Sequence, residues 1–110
     1  METIIFKVQG SAQEPYTTIF KRAGMNLTAH CSCPAGEVGQ YCKHRLNILN
    51  GYIDGIVSSN APEVQTVMLW LKGTDVEQAL KQVHEAEEKL EEAKKQLNGF
   101  KKKLARALMT

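Results

Sequence analysis

The chain reads as an α+β protein: a small antiparallel β-hairpin or sheet, a short cysteine-rich loop, a short helix and a long C-terminal helix. Three observations predict this. Three strand-like runs, at 3–8, 16–21 and 25–30, fall within the first thirty positions. All three cysteines fall between residues 31 and 42. A seven-residue apolar repeat runs from residue 76 to the end. With 110 residues, 43% apolar and 24% charged, the chain is large enough for a modest core. A domain of this size gains from an added staple. No apolar run approaches the roughly 18–20 residues that span a bilayer. The start, METIIFKVQG, has no basic segment followed by a long apolar stretch, so it is not read as a signal peptide. The expected setting is intracellular, cytoplasmic or nuclear, without membrane contact. Thiols stay reduced there, and clustered cysteines point to metal.

The strands come first. Ile4, Phe6 and Val8 share one face of residues 3–8, while Thr3, Ile5 and Lys7 share the other. Residues 16–21 are rich in β-branched and aromatic side chains, and residues 25–30 place Met25, Leu27 and Ala29 on one side. Lys21-Arg22-Ala23-Gly24 between these runs predicts the hairpin turn. Beyond the cysteine loop, Leu46, Leu49, Ile53 and Ile56 recur on one helical face, with Gly51 or Gly55 as its end. Residues 57–61 read as a loop. Pro62 tolerates a first helical turn, and the next helix should run from there to about Lys72 and stop at Gly73. In that stretch Trp70, with Met68, Leu69 and Leu71, is expected in the core.

The last helix should start at Thr74 or Asp75, with Glu77 or Gln78 as the capping-box partner. Val76, Val83, Leu90, Leu97 and Leu104 fall seven apart. Ala79, Ala86, Ala93, Phe100 and Ala107 follow the same period three residues behind. This is a five-heptad stripe, with small alanines that let another helix approach closely. Residues 75–97 hold seven acids and four bases, and residues 98–110 hold four bases and no acid. That order favours the helix dipole. Asn98-Gly99 is a helix-stop signal inside a heptad phase that runs through it, which leaves two expectations, a continuous helix and a break at 98–99. His84 falls beside the stripe and is expected to be solvated.

The chemistry concentrates in His30-Cys31-Ser32-Cys33-Pro34-Ala35-Gly36-Glu37-Val38-Gly39-Gln40-Tyr41-Cys42-Lys43-His44. A C-x-C pair and a C-x-H pair are separated by eight residues. Zinc takes four thiolate or imidazole donors in a tetrahedron, and close pairs let one turn of backbone present two donors. No cysteine is left over. The candidate ligands are Cys31, Cys33, Cys42 and His44, holding one structural zinc; His30 lies on the wrong side of the first pair. Four protein ligands leave no open position for a catalytic water, a C-x-C pair is not the usual C-x-x-C of dithiol redox sites, and no third group suits a Cys–His nucleophile. The protein is therefore expected not to be an enzyme and to take no small-molecule substrate.

Cys31-Ser32-Cys33-Pro34 and Cys42-Lys43-His44 resemble the two halves of the SWIM zinc finger over roughly residues 16–56. The resemblance implies a ββα unit and binding to DNA or to proteins. Arg45 and Asn47 depart from the apolar continuation usual after the histidine. The organisation expected is a zinc-binding ββα module with an extra N-terminal strand over 1–56, and a helical region over 57–110 with a coiled-coil-like helix at 75–108.

Two functions follow as expectations. One is a small accessory or regulatory protein that acts through protein interaction, associated with a nucleic-acid-processing machine. Its contact would be Val76, Ala79, Val83, Ala86, Leu90, Ala93, Leu97, Phe100 and Leu104, facing a protein partner or forming a homodimer. The other is direct DNA or RNA binding by Lys21, Arg22, Lys43, Arg45, Lys101, Lys102, Lys103 and Arg106. The net charge of +2 does not by itself demand a nucleic-acid partner.

Overall fold

A computed structural model describes all of residues 1–110. The architecture is α+β. Strands β1 (Glu2–Val8), β2 (Tyr16–Ala23) and β3 (Asn26–Cys31) form one antiparallel sheet in the order β1-β2-β3. Helices α1 (Pro34–Glu37), α2 (Lys43–Leu49), α3 (Val64–Leu71) and α4 (Asp75–Ala107) follow, with a single 3-10 turn at Ala61–Glu63. The chain divides into two compact units, Met1–Glu77 and Gln78–Thr110. No helix is long and apolar enough to cross a membrane.

In the first unit the alternation in β1 acts as read. Ile4, Phe6 and Val8 are buried, and Thr3, Ile5 and Lys7 are exposed. The register pairs Ile4 with Phe20, Phe6 with Thr18 and Thr18 with Cys31. Side chains directly opposite in an antiparallel pair share a face, so the core side of the sheet carries these residues together with Leu27. Phe6 and Phe20 meet edge to face with centroids 6.0 Å apart, a favoured aromatic geometry. Ile48, Leu49, Val64, Val67, Trp70 and Leu71 supply the helical side of the core. Trp70 is thus a core residue, as expected, while Leu69 is exposed.

Three boundaries differ from the sequence reading. The hairpin turn is Gly24-Met25, not Lys21–Gly24, because Ala23 pairs with Asn26. Gly24 takes φ +62, which suits the first central position of a tight hairpin turn. Lys21 and Arg22 therefore extend β2, and Met25 leaves the strand. Second, α2 stops at Leu49, just before the nearer of the two glycines read as its end, so Ile53 and Ile56 lie outside it. Gly51 adopts φ +88, and the chain leaves the helix there. Residues beyond it run along β1: Ile56 bridges Val8, Gln9 N donates to Gly55 O at 2.7 Å and Val57 N to Lys7 O at 2.8 Å. Asn60 Nδ2 donates to Ile5 O at 2.8 Å. The open edge of β1 is covered in this way, which removes a site for edge-to-edge pairing. Third, the helix expected from Pro62 begins as a 3-10 turn and becomes α-helical only at Val64.

Thr74 caps α4. Its hydroxyl accepts from Glu77 N at 3.2 Å, and Glu77 Oε1 accepts from Gly73 N at 3.1 Å. The helix then continues unbroken through Asn98-Gly99 for 33 residues. Leu80 is its buried residue, one position off the heptad stripe. From the dipole order and the heptad phase, the helix outlasts the local stop signal because one glycine costs only about 1 kcal/mol.

This gives a direct check. A Cβ added at Gly99 meets nothing within 4 Å. Gly99→Ala should therefore raise protection of the amides around residues 95–103 by about 1 kcal/mol in hydrogen exchange. A loss of protection would mean that Gly99 ends the helix.

Candidate metal centre

Four side chains converge at the base of the hairpin. Cys31 is the last residue of β3. Cys33 precedes α1, and its sulfur accepts from Gly36 N at 3.3 Å. Cys42 precedes α2, and its carbonyl starts that helix by accepting from Leu46 N at 3.2 Å. His44 lies in the first turn of α2. Their donor atoms all lie within 4.8 Å of one another. Cys33 Sγ is 3.3 Å from Cys42 Sγ, and His44 Nδ1 is 3.8 Å from Cys31 Sγ and 3.7 Å from Cys42 Sγ. Donors about 2.0–2.3 Å from a tetrahedral zinc stand roughly 3.6–3.8 Å from each other. The residues fit the metal, and the cluster is able to bind one zinc ion. Three thiolates and an imidazole are the donors zinc favours. Bound there, the ion would supply folding free energy by tying β3 to α2. Nδ1 is the imidazole nitrogen that faces the sulfurs.

The local sequence explains the convergence. Ser32 points away from the cluster between the two cysteines, and its hydroxyl accepts from Thr17 N at 2.9 Å while Ser32 N donates to Thr17 O at 3.0 Å. That pair continues the hairpin past Cys31 and aims both flanking cysteines inward. Pro34 then begins α1. Gly36 passes so close to Cys31 that a Cβ would sit 2.5 Å from Cys31 O and 2.8 Å from Cys31 Cβ. Gly39, at φ +73, turns the loop back toward Cys42.

The surroundings also set the protonation states. The three cysteines are buried. Burial pushes the Cys33 thiol up to about 11, and hydrogen bonds from Cys42 and Cys31 add to it, against the Gly36 N–H. Burial also works to raise Cys42, but the Arg45 N–H and the hydrogen bonds from Cys33, Cys31 and the His44 N–H outweigh it and lower that thiol. Burial, and then the Lys43 charge, lower His44 and keep its imidazole neutral, the form that ligates metal. Cys33 therefore carries its proton at neutral pH until zinc displaces it. Zinc binding releases that proton and weakens as pH falls.

Several supporting residues lie outside the motif. Tyr16 packs on the His44 ring with centroids 5.1 Å apart. The Thr18 hydroxyl donates to Cys31 Sγ at 3.5 Å in the buried interior. Arg45 Nη1 donates to Ala29 O at 3.1 Å and Nη2 to Gln40 O at 2.5 Å. The guanidinium thus braces the metal loop against β3, and the departure from an apolar residue at 45 has a structural use. Of these, only the Tyr16 strand pattern carried a signal in the sequence. The contacts of Thr18 and Arg45 depend on hairpin register.

Within the first unit the basic candidates do not cluster. Lys21 and Arg22 sit near the hairpin tip, whereas Cys31 pairs with Thr18 at its base. Arg22 lies 3.8 Å from Glu2 and donates to Gly24 O at 3.2 Å. Lys43 opens α2 and, with Tyr16 and Tyr41, lines a cavity of about 460 Å³ beside His44. Lys101, Lys102, Lys103 and Arg106 are exposed on α4. His30 is exposed and outside the cluster.

Residues 20–50 match the family model of the SWIM zinc finger. This span holds all four donors and both strands of the hairpin apart from the start of β2. No curated protein and no solved structure matches the chain.

The close approach at Gly36 yields a test. Gly36→Ala should weaken zinc binding at least about tenfold, the effect typical of disturbing the shell behind the ligands. Competition with a chromophoric chelator measures it. The same titration on the unaltered protein should show tighter binding at pH 8 than at pH 6.

Proposed function

We propose that this chain, a SWIM finger followed by a long helix, is a small accessory protein that works by protein interaction and carries no catalytic centre of its own. Four protein donors complete the zinc shell and leave no position for a reacting water. The zinc acts as a staple, and the working surface lies elsewhere. The observation that carries this reading is the apolar stripe of α4. Leu90, Leu97, Phe100 and Leu104 are between 52% and 64% exposed, and all four belong to the heptad series. A stripe of large apolar side chains along a helix about 50 Å long is stable in water only when another surface covers it. The partner favoured is a second copy of this chain, which presents the same stripe by symmetry. The SWIM resemblance supports association with a nucleic-acid-processing machine.

One specific feature favours a second reading, direct contact with nucleic acid. Tyr16, Tyr41 and Lys43 bring aromatic faces and a cation to the cavity beside His44, a combination suited to stacking a base and holding its phosphate. Binding of this kind would fall steeply with salt.

Light scattering on the zinc-loaded protein separates the two. The interaction reading expects a mass near twice 12.3 kDa at tens of micromolar. Leu97→Glu with Leu104→Glu should return it to the monomer. A monomer at every concentration, with salt-sensitive binding to a single-stranded oligonucleotide, would replace the first reading with the second.

A further inference from the structure

The orientation of the pair is legible in the charges that flank the stripe. We infer that two α4 helices pair antiparallel, centred between Glu91 and Glu92, with Glu87 of each copy beside Lys94 of the other. This inference rests on the reading that α4 pairs with a second copy.

Packing points first to the antiparallel sense. In a parallel, in-register pair each stripe residue meets its own kind. Ala79, Ala86 and Ala93 would then form layers of two alanines, between layers of two valines or two leucines. Such layers leave voids at one level and crowding at the next, whereas facing large with small fills space evenly. Reversing one helix about the point between Glu91 and Glu92 sets Ala79 against Leu104, Ala86 against Leu97 and Leu90 against Ala93. Val83 meets Phe100. Each level then combines a larger and a smaller side chain.

Charge selects the same arrangement. The residues on the two sides of the stripe are Leu80, Glu87, Lys94 and Lys101 on one, and Gln82, Lys89, Gln96 and Lys103 on the other. In a parallel pair, Lys89 of each copy faces Lys94 of its neighbour, and no opposite charges meet. The antiparallel pair centred at 91–92 places Glu87 beside Lys94 twice by symmetry. Its remaining flanking contacts are Lys89 with Gln96, Gln82 with Lys103 and Leu80 with Lys101, and no like charges meet. A shift of one heptad toward the C-terminus pairs Glu87 with Lys101 but sets Lys94 against Lys94 and Lys89 against Lys103. A shift toward the N-terminus sets Glu87 against Glu87 and Lys89 against Lys89. Among these registers only the central one avoids repulsion, which is how flanking charges choose partner orientation. The helix ends agree: in this register residues 98–107, with all four tail bases, lie along residues 76–85 of the other copy, where Glu77 and Glu85 outnumber Lys81. This also gives the four clustered bases of the tail a use that needs no nucleic acid.

The sign of one substitution separates the orientations. Sedimentation equilibrium of the full zinc-loaded chain, with helicity checked by circular dichroism, gives the dimer Kd. In the antiparallel pair Lys94→Glu sets carboxylate against Glu87 at two symmetric contacts, and the Kd should rise about tenfold. In a parallel pair the same change meets Lys89 and tightens the dimer. Glu87→Lys should also weaken the antiparallel dimer, although within its own helix the new ammonium gains Glu91 four residues on. Combining Glu87→Lys with Lys94→Glu should restore the original Kd. Tightening by Lys94→Glu, or failure of the double exchange to restore affinity, overturns the orientation while leaving the interaction reading intact. An unaltered chain that stays monomeric at every concentration overturns both.

Discussion

Three sulfurs and one imidazole nitrogen meet within 4.8 Å, and they come from the end of a strand, the start of α1 and the first turn of α2. The loop from Ser32 to Tyr41 contributes little apolar burial of its own, and α2 is two turns long. Helices this short do not persist alone. A metal shared by β3 and α2 would fix the angle between them, and α2 contributes Ile48 and Leu49 to the buried core that also holds Phe6 and Phe20. The rest of the first unit is built on this join. Arg45 reinforces it from outside by bonding to both Ala29 O and Gln40 O, and Tyr16 holds the imidazole ring from the β2 side.

Such a design separates stability from recognition. The donor set consumes the chemistry of the cysteines and the histidine, and the core consumes the aromatic residues of the sheet. Among the groups left on the surface are the lining of the cavity beside His44 and the large apolar side chains of the α4 stripe. The stripe offers more apolar area and carries an ordered set of charges along its edges. Under the proposed reading the stripe is the working surface, and the finger is the folded anchor that carries it.

The ligands and the strand faces were readable because they depend on local spacing. Cys31, Cys33, Cys42 and His44 follow the two-residue pairs that zinc requires, and Ile4, Phe6 and Val8 follow the pleat. The errors arose where distant backbone decides. Apolar spacing grouped Ile53 and Ile56 with the face of α2, but Ile56 is held by Val8, more than forty residues earlier in the chain. The hairpin turn was displaced because Lys21 and Arg22 look like turn residues, while register and the positive φ of Gly24 place the turn beyond them. Arg45 looked like a surface cation; only the folded loop shows its carbonyl partners. In α4 the stop signal at Asn98-Gly99 was local and the heptad pattern extended, and the extended pattern prevailed.

The central claim is that zinc at the Cys3His cluster holds β2, β3 and α2 together. Hydrogen exchange on the full chain, zinc-loaded and after chelation, tests it most directly. The account predicts that the amides of Tyr16–Cys31 and Lys43–Leu49 lose most of their protection on chelation and regain it when zinc is returned. Unchanged protection in both segments after complete removal of the metal would contradict it.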